Sequence, residues 1–149
     1  MMAALETGTA EGIWRLSLPS VTMTQMAYYC AATGVRDPIH YDRDFARQLG
    51  FRDAVANGSL RLGWMCYAGE ALASPRQRLV SVRCQHRGPL YVGDDISMEI
   101  AVRPAAGSAA GPGKRTATIT VSTAQQGVCD VGEIVLEAAG RPPAAEEES

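Results

Sequence analysis

The run of apolar and polar positions divides the chain into a first half with helical spacing and a second half that alternates. Ile13–Leu18 alternates weakly and predicts an extended segment, ended by Pro19. Met23, Met26, Ala27, Cys30 and Ala31 then recur at the spacing of one helix face, and core packing is the expected use of that stripe. Thr22 stands three residues before Gln25, where a hydroxyl and a longer polar side chain can satisfy the exposed donors of a first turn. Gly34 supplies the stop. Asp42 can cap a short helix that turns Phe45, Ala46 and Leu49 inward and closes at Gly50. A long helix is predicted over about residues 58–73, with Leu60, Trp64, Tyr67, Ala68, Ala71 and Leu72 facing a sheet. Gly63 and Gly69 in it would permit close approach.

Beyond residue 78 the period changes to two. Residues 79–87 alternate, placing Val80, Val82, Cys84 and His86 on one face. Ile96–Arg103, 115–124 and 128–137 read as further strands, the last two joined around Gln126-Gly127. The segment 104–114, PAAGSAAGPGK, reads as a long hairpin loop. Helices followed by a run of antiparallel strands predict an α+β domain in which a sheet wraps a central helix. That domain is expected over 13–138, preceded by a flexible N-terminus at 1–12 and followed by a disordered acidic tail at 139–149, AGRPPAAEEES.

Composition narrows the function classes. A chain of 149 residues can bury a core without disulfides or metals, and 46% hydrophobic with 20% charged residues is ordinary for a globular protein. A net charge of -2, with no basic patch interleaved with aromatics, argues against nucleic acid. Arg61 and Glu70 interrupt the longest apolar stretch, and the acidic opening residues lack the basic and apolar regions of a signal peptide. No membrane span is therefore expected, and a cytoplasmic location is. The four cysteines, Cys30, Cys66, Cys84 and Cys129, show no metal-site spacing and read as reduced, mostly buried thiols. Neither a metal nor another cofactor is expected.

Candidate chemistry gathers in Tyr28 to Asp44, YYCAATGVRDPIHYDRD. His40 lies there in a loop stiffened by Pro38, ahead of a capped helix. It is one of two histidines. The other, His86, shares a strand face with valines and reads as a packed or cleft-edge residue.

The segment from Gly34 to Asp42, GVRDPIHYD, followed by Ala46, then Ala56-Asn57-Gly58, then Pro89 leading to Gly93-Asp94, resembles the MaoC-like hydratase/dehydratases. That family includes the (R)-specific enoyl-CoA hydratases, and the likeness runs from about residue 20 to 138. It implies a hot-dog fold, with an antiparallel sheet of about five strands wrapped around a long central helix. It also implies an acyl thioester substrate on coenzyme A or acyl carrier protein, and addition or removal of water at the α,β position. A homodimer, or a heterodimer with a sister chain, is implied as partner. His40 matches the family's catalytic histidine, and Gly58 the residue whose N–H binds the thioester oxygen. The family's catalytic aspartate falls on Val35, which can neither accept a proton nor orient water and would leave a drier pocket. Losing such a group typically costs ~10²–10⁴-fold in rate. Asp37 stands two residues on. In an extended segment its side chain points the same way as that of Val35, roughly 6–7 Å apart, so it either replaces the carboxylate or caps the loop. Asn57, just before the glycine, either holds a substrate oxygen or caps the helix. Two functions follow. One is a lyase with His40 and Asp37 catalytic and Asn57, Gly58 and Val35 binding substrate; the other is a non-catalytic subunit that shapes the acyl pocket of a sister chain.

Overall fold

In a computed structural model, residues 5–6, 12–103 and 114–138 are described. The hairpin segment 104–113 and the tail 139–149 lie outside them, as does most of the opening segment. The strands are β1 (Leu5–Glu6), β2 (Ile13–Leu18), β3 (Gln77–His86), β4 (Ile96–Arg103), β5 (Lys114–Thr123) and β6 (Gly127–Ala138). The helices are α1 (Met23–Thr33), α2 (Arg43–Gln48) and α3 (Gly58–Leu72), with a 3-10 turn at Pro38–His40. The six strands form one antiparallel sheet in the order β1-β2-β4-β5-β6-β3. The short β1 pairs with β2, so part of the segment expected to be flexible has a place at the sheet edge.

Alternation builds the inner face. Ile96, Met98 and Ile100 of β4 are buried while Ser97 and Glu99 between them are exposed, and Met98 and Ile100 stand directly opposite Val121 and Ile119 of β5. Such cross-strand apolar pairs are the unit of sheet stability. At the hairpin from β5 to β6, Gly127 has a φ of 68°, the left-handed value that glycine adopts without strain.

β3 departs from simple alternation. A bulge between Leu79 and Ser81 leaves Val80 39% exposed, while Leu79 before it and Val82 and Cys84 after it pack on the core. Val80 therefore leaves the face predicted for it.

The helices start and stop as their caps predict. The Thr22 hydroxyl accepts from the Gln25 N–H at 3.1 Å, and Gly34 closes α1 with a φ of 71°. Only Met26 and Cys30 of the α1 stripe are buried, however; Ala27 and Ala31 are exposed.

α3 lies against β3 and β6, with Leu60, Trp64, Tyr67 and Leu72 of the expected face packed partly buried on the core. Its buried positions are Arg61, Met65, Ala68 and Gly69, and Ala71 is exposed. The approach is close. A Cβ at Gly69 would stand 2.9 Å from the Leu79 side chain, and one at Gly132 would run into Met65 and lie 2.6 Å from the Arg83 carbonyl. Burying Met65 completely contributes roughly 1.5–3 kcal/mol, and Gly132 makes the room. Gly63 faces open space and serves no contact, contrary to expectation. No helix among the described residues is long and apolar enough to cross a membrane.

Candidate functional site

The site forms where three connecting segments meet the first turn of α3. Val55 and Tyr91 form an isolated bridge, the Ala56 N–H donates to the Leu90 carbonyl at 2.7 Å, and the Val92 N–H donates to Ala54 at 3.0 Å. The 3-10 turn joins the same platform through the Val55 N–H, which donates to Ile39 at 2.9 Å. Backbone pairing therefore fixes Asn57 and Gly58 before any side chain is considered.

His40 bridges turn and platform. Its Nδ1 lies 2.7 Å from the Val55 carbonyl oxygen. A carbonyl only accepts, so Nδ1 carries the hydrogen and Nε2 presents its lone pair. That lone pair faces Asn57 Nδ2 at 3.1 Å. The amide is oriented from its other end, where Asn57 Oδ1 accepts from the Ser59 N–H at 2.9 Å and from the Ser59 hydroxyl. With its proton given to Asn57, Ser59 Oγ accepts from the Tyr29 hydroxyl at 2.7 Å. One directed chain of hydrogen bonds runs from Tyr29 on α1 through Ser59, Asn57 and His40 to Val55. Asn57 caps α3, as one of the two sequence readings has it, and it also holds the imidazole, a contact neither reading included.

Asp37 is exposed, and its carboxylate accepts from the Ile39 N–H at 3.2 Å, capping the 3-10 turn. Both nitrogens of His40 bond elsewhere. Val35 is half-buried and lines an open cavity of about 490 Å³ with Ala27, Cys30, Ala31, Gly34, Arg36 and Tyr41. Neither His40 nor Gly58 lines that cavity.

A second imidazole stands beside Gly58. A Cβ at residue 58 would lie 2.8 Å from Nε2 of His86, so any side chain there would have to push the imidazole aside. His86 Nδ1 is 2.6 Å from Asp130 Oδ1, across the β3–β6 pairing that sets the two residues opposite each other. Arg61 of α3 completes the group. Its Nε and Nη2 donate to the two oxygens of Asp130 at 3.0 and 2.6 Å, and Nη2 also donates to the carbonyls of Gly88 and Cys129. The Arg61 and Asp130 side chains are 4% and 0% exposed, whereas that of His86 is 45% exposed. A buried ion pair persists only when its remaining hydrogen-bonding capacity is met, and here it is.

Cys84 Sγ, His86 Nδ1 and a carboxylate oxygen of Asp130 lie within 4.8 Å of one another, the one grouping of three possible metal donors among the described residues. Arg61 already engages both oxygens of Asp130, so a cation there would have to displace a guanidinium. Burial, reinforced by the charge of Asp130, pushes the Cys84 thiol above its ordinary range despite the opposing guanidinium. All four cysteines are free.

Arg61, Asp130 and the partnership of His86 were missed from the sequence, though one signal was present. Asp130 is in phase with Gly132, Ile134 and Leu136 on the inward face of β6, and a carboxylate at such a step calls for a buried partner.

Residues 16–125 match the family model described as MaoC like domain, most of the chain. The chain belongs to the MaoC-like family. Its fold is the hot-dog fold of solved relatives. One is a chain of the ChsH1-ChsH2 complex from Mycobacterium tuberculosis, 20% identical, with 93% of this chain and 98% of that one covered at a TM-score of 0.72. Another is the (R)-hydratase of A. caviae involved in PHA biosynthesis, 21% identical, with 89% and 98% covered and a TM-score of 0.72. A third, a chain of the HadBC (3R-hydroxyacyl-ACP dehydratase) complex of M. tuberculosis, is 15% identical, with 83% and 93% covered and a TM-score of 0.60. Among curated proteins no sequence match was found. Within the MaoC-like fold, the helix expected at the centre of the sheet packs at its β3–β6 end.

Proposed function

We propose that this MaoC-like chain is a lyase that adds water to, or removes it from, the α,β position of an acyl thioester carried on coenzyme A or acyl carrier protein. The observation that carries the reading is the head of α3, where Gly58, without a side chain, stands at the first turn of a 15-residue helix beside His86 and is preceded by Asn57, which is fixed to His40. The first N–H groups of a helix have no partner within it and carry the positive end of its dipole. A thioester oxygen seated on the Gly58 N–H gains most when it becomes enolate-like, in the transition state of either direction. His40 sets one wall of that seat through Asn57. Its Nε2 can act on a proton itself only after exchanging the Asn57 amide for water.

The test is hydration of crotonyl-CoA by the purified chain, followed as loss of the enoyl absorbance. His40→Ala is expected to lower kcat/KM by about 100-fold or more, since misplacing a reacting group by an ångström already costs that much. No hydration by the folded wild-type chain would overturn the lyase reading.

One observation favours a second reading, a non-catalytic subunit that shapes a sister chain's acyl pocket. Val35 stands where the family likeness expects the catalytic aspartate, and its apolar side chain lines an open cavity. Two of the solved relatives are also chains of two-protein complexes. On this reading the chain alone is inactive, binds a sister MaoC-like chain tightly in size-exclusion chromatography, and alters that chain's preference among enoyl-CoA lengths.

A further inference from the structure

We infer that His86, held by Asp130 and Arg61, is the proton-transfer residue of this site, and that it supplies the acid/base function left vacant at Val35. The inference rests on the thioester reading above.

The two histidines offer the same atom under different conditions. Each gives its Nδ1 hydrogen to an oxygen and turns Nε2 toward the start of α3. The Nε2 lone pair of His40 is taken by the Asn57 amide, whereas Nε2 of His86 makes no hydrogen bond among the described residues. The acceptor behind His86 is a carboxylate, which stabilises the imidazolium formed when Nε2 takes a proton; behind His40 is a neutral carbonyl. Buried Asp130 cannot swing away, since Arg61 holds both of its oxygens and is itself tied to the Gly88 and Cys129 carbonyls. His86 is the exposed member of the group, open to substrate and water. A base oriented by a fixed second group, beside a donor for the developing oxyanion, is the arrangement proton abstraction requires. Cys84 does not compete as the reactive group, because burial keeps it a thiol.

In the hydration direction the step balances on His86 alone. Nε2 takes one proton from water as the water oxygen bonds to Cβ, and the π electrons move onto the thioester oxygen at the Gly58 N–H. The imidazolium then gives the same proton to Cα as the carbonyl re-forms. Water has been divided into a hydroxyl on Cβ and a hydrogen on Cα, and His86 is neutral again.

The test uses the whole chain with crotonyl-CoA and the variants His86→Asn and His86→Ala. Asparagine keeps a donor where Nδ1 meets Asp130 and deletes Nε2, so it separates a structural bond from a chemical one. The expected result is a fall in kcat of about 100-fold in H86N with KM within about threefold, and recovery of at least about tenfold in H86A on adding imidazole. Hydration by H86N within about threefold of wild type would overturn this inference and leave the thioester reading standing. A loss that imidazole does not repair would also overturn it, in favour of a packing role. If the wild-type chain hydrates nothing, both readings fail together.

Discussion

The two sides of the α3 N-terminus use the same residue type on different supports. On one side His40 sits in a loop and is held by neutral groups: a backbone carbonyl, a side-chain amide, a serine and a tyrosine. On the other, His86 sits on a strand and is held by a buried ion pair. Neutral hydrogen bonds are individually modest, and losing one leaves groups that water can reach in this half-exposed loop. The ion pair is nearly inaccessible to water, and neither member can be removed without stranding the other. The loop side is therefore adjustable and the strand side rigid. On the proposed function, the fixed group would pass the proton and the adjustable side would admit the acyl chain.

That contrast can be broken hardest at Arg61. Arg61→Met fills similar volume but leaves the Asp130 carboxylate buried without its partner, and the expected cost is about 3–5 kcal/mol in urea unfolding. The double variant Arg61→Met with Asp130→Leu is expected to recover most of this loss, because two apolar groups need no desolvation offset. It would still leave His86 without orientation. If the single variant cost less than about 1 kcal/mol, the strand side would be no more rigid than the loop side, and the comparison would fail.

On the loop side the corresponding variant is Asn57→Ala, and a smaller effect is expected. It removes the cap on Ser59 and the bond to His40 together, for about 1–2 kcal/mol by the same measurement. Nitrogen NMR of the His40 ring sharpens the reading. The Nδ1–H tautomer should persist in this variant, since the Val55 carbonyl still selects it. Appearance of the other tautomer would mean that Asn57, and not the backbone, sets the ring's proton.

The same difference explains which parts of the molecule the sequence revealed. The helix and turn ends on the loop side are built from neighbours: Thr22 and Gly34 bound α1, Asp37 and Asp42 cap the turn and α2, and Asn57 caps α3, all within a few residues of what they hold, whereas the bonds from His40 to residues 55 and 57 are long-range and were not read. Local caps are legible because their spacing is their mechanism. The strand side joins residues 61, 86 and 130, which only the folded sheet brings together. Arg61 read as an interruption of an apolar helix because its partner lies 69 positions away. The bulge at Val80 left no signature either, since Leu79, Val80 and Val82 are equally apolar and only pairing with β6 decides which of them turns outward. Periodicity reveals a face. It does not reveal a long-range partner that permits a charge on that face.

The smallest expected effect lies at the outer end of the loop-side chain. Tyr29→Phe removes the hydroxyl that donates to Ser59, 2.7 Å away, and touches nothing at the imidazole. Because the pair is exposed, water can replace the lost donor, so the stability change should stay below about 1 kcal/mol. The informative readout is the ring of His40. If the chain from Tyr29 to Val55 acts as a unit, loosening its first bond should broaden or shift the Nε2 signal of His40, three hydrogen bonds away, and leave that of His86 unmoved. If both rings respond alike, the two sides of the helix start are one structure. Their separate supports would then carry no separate functions.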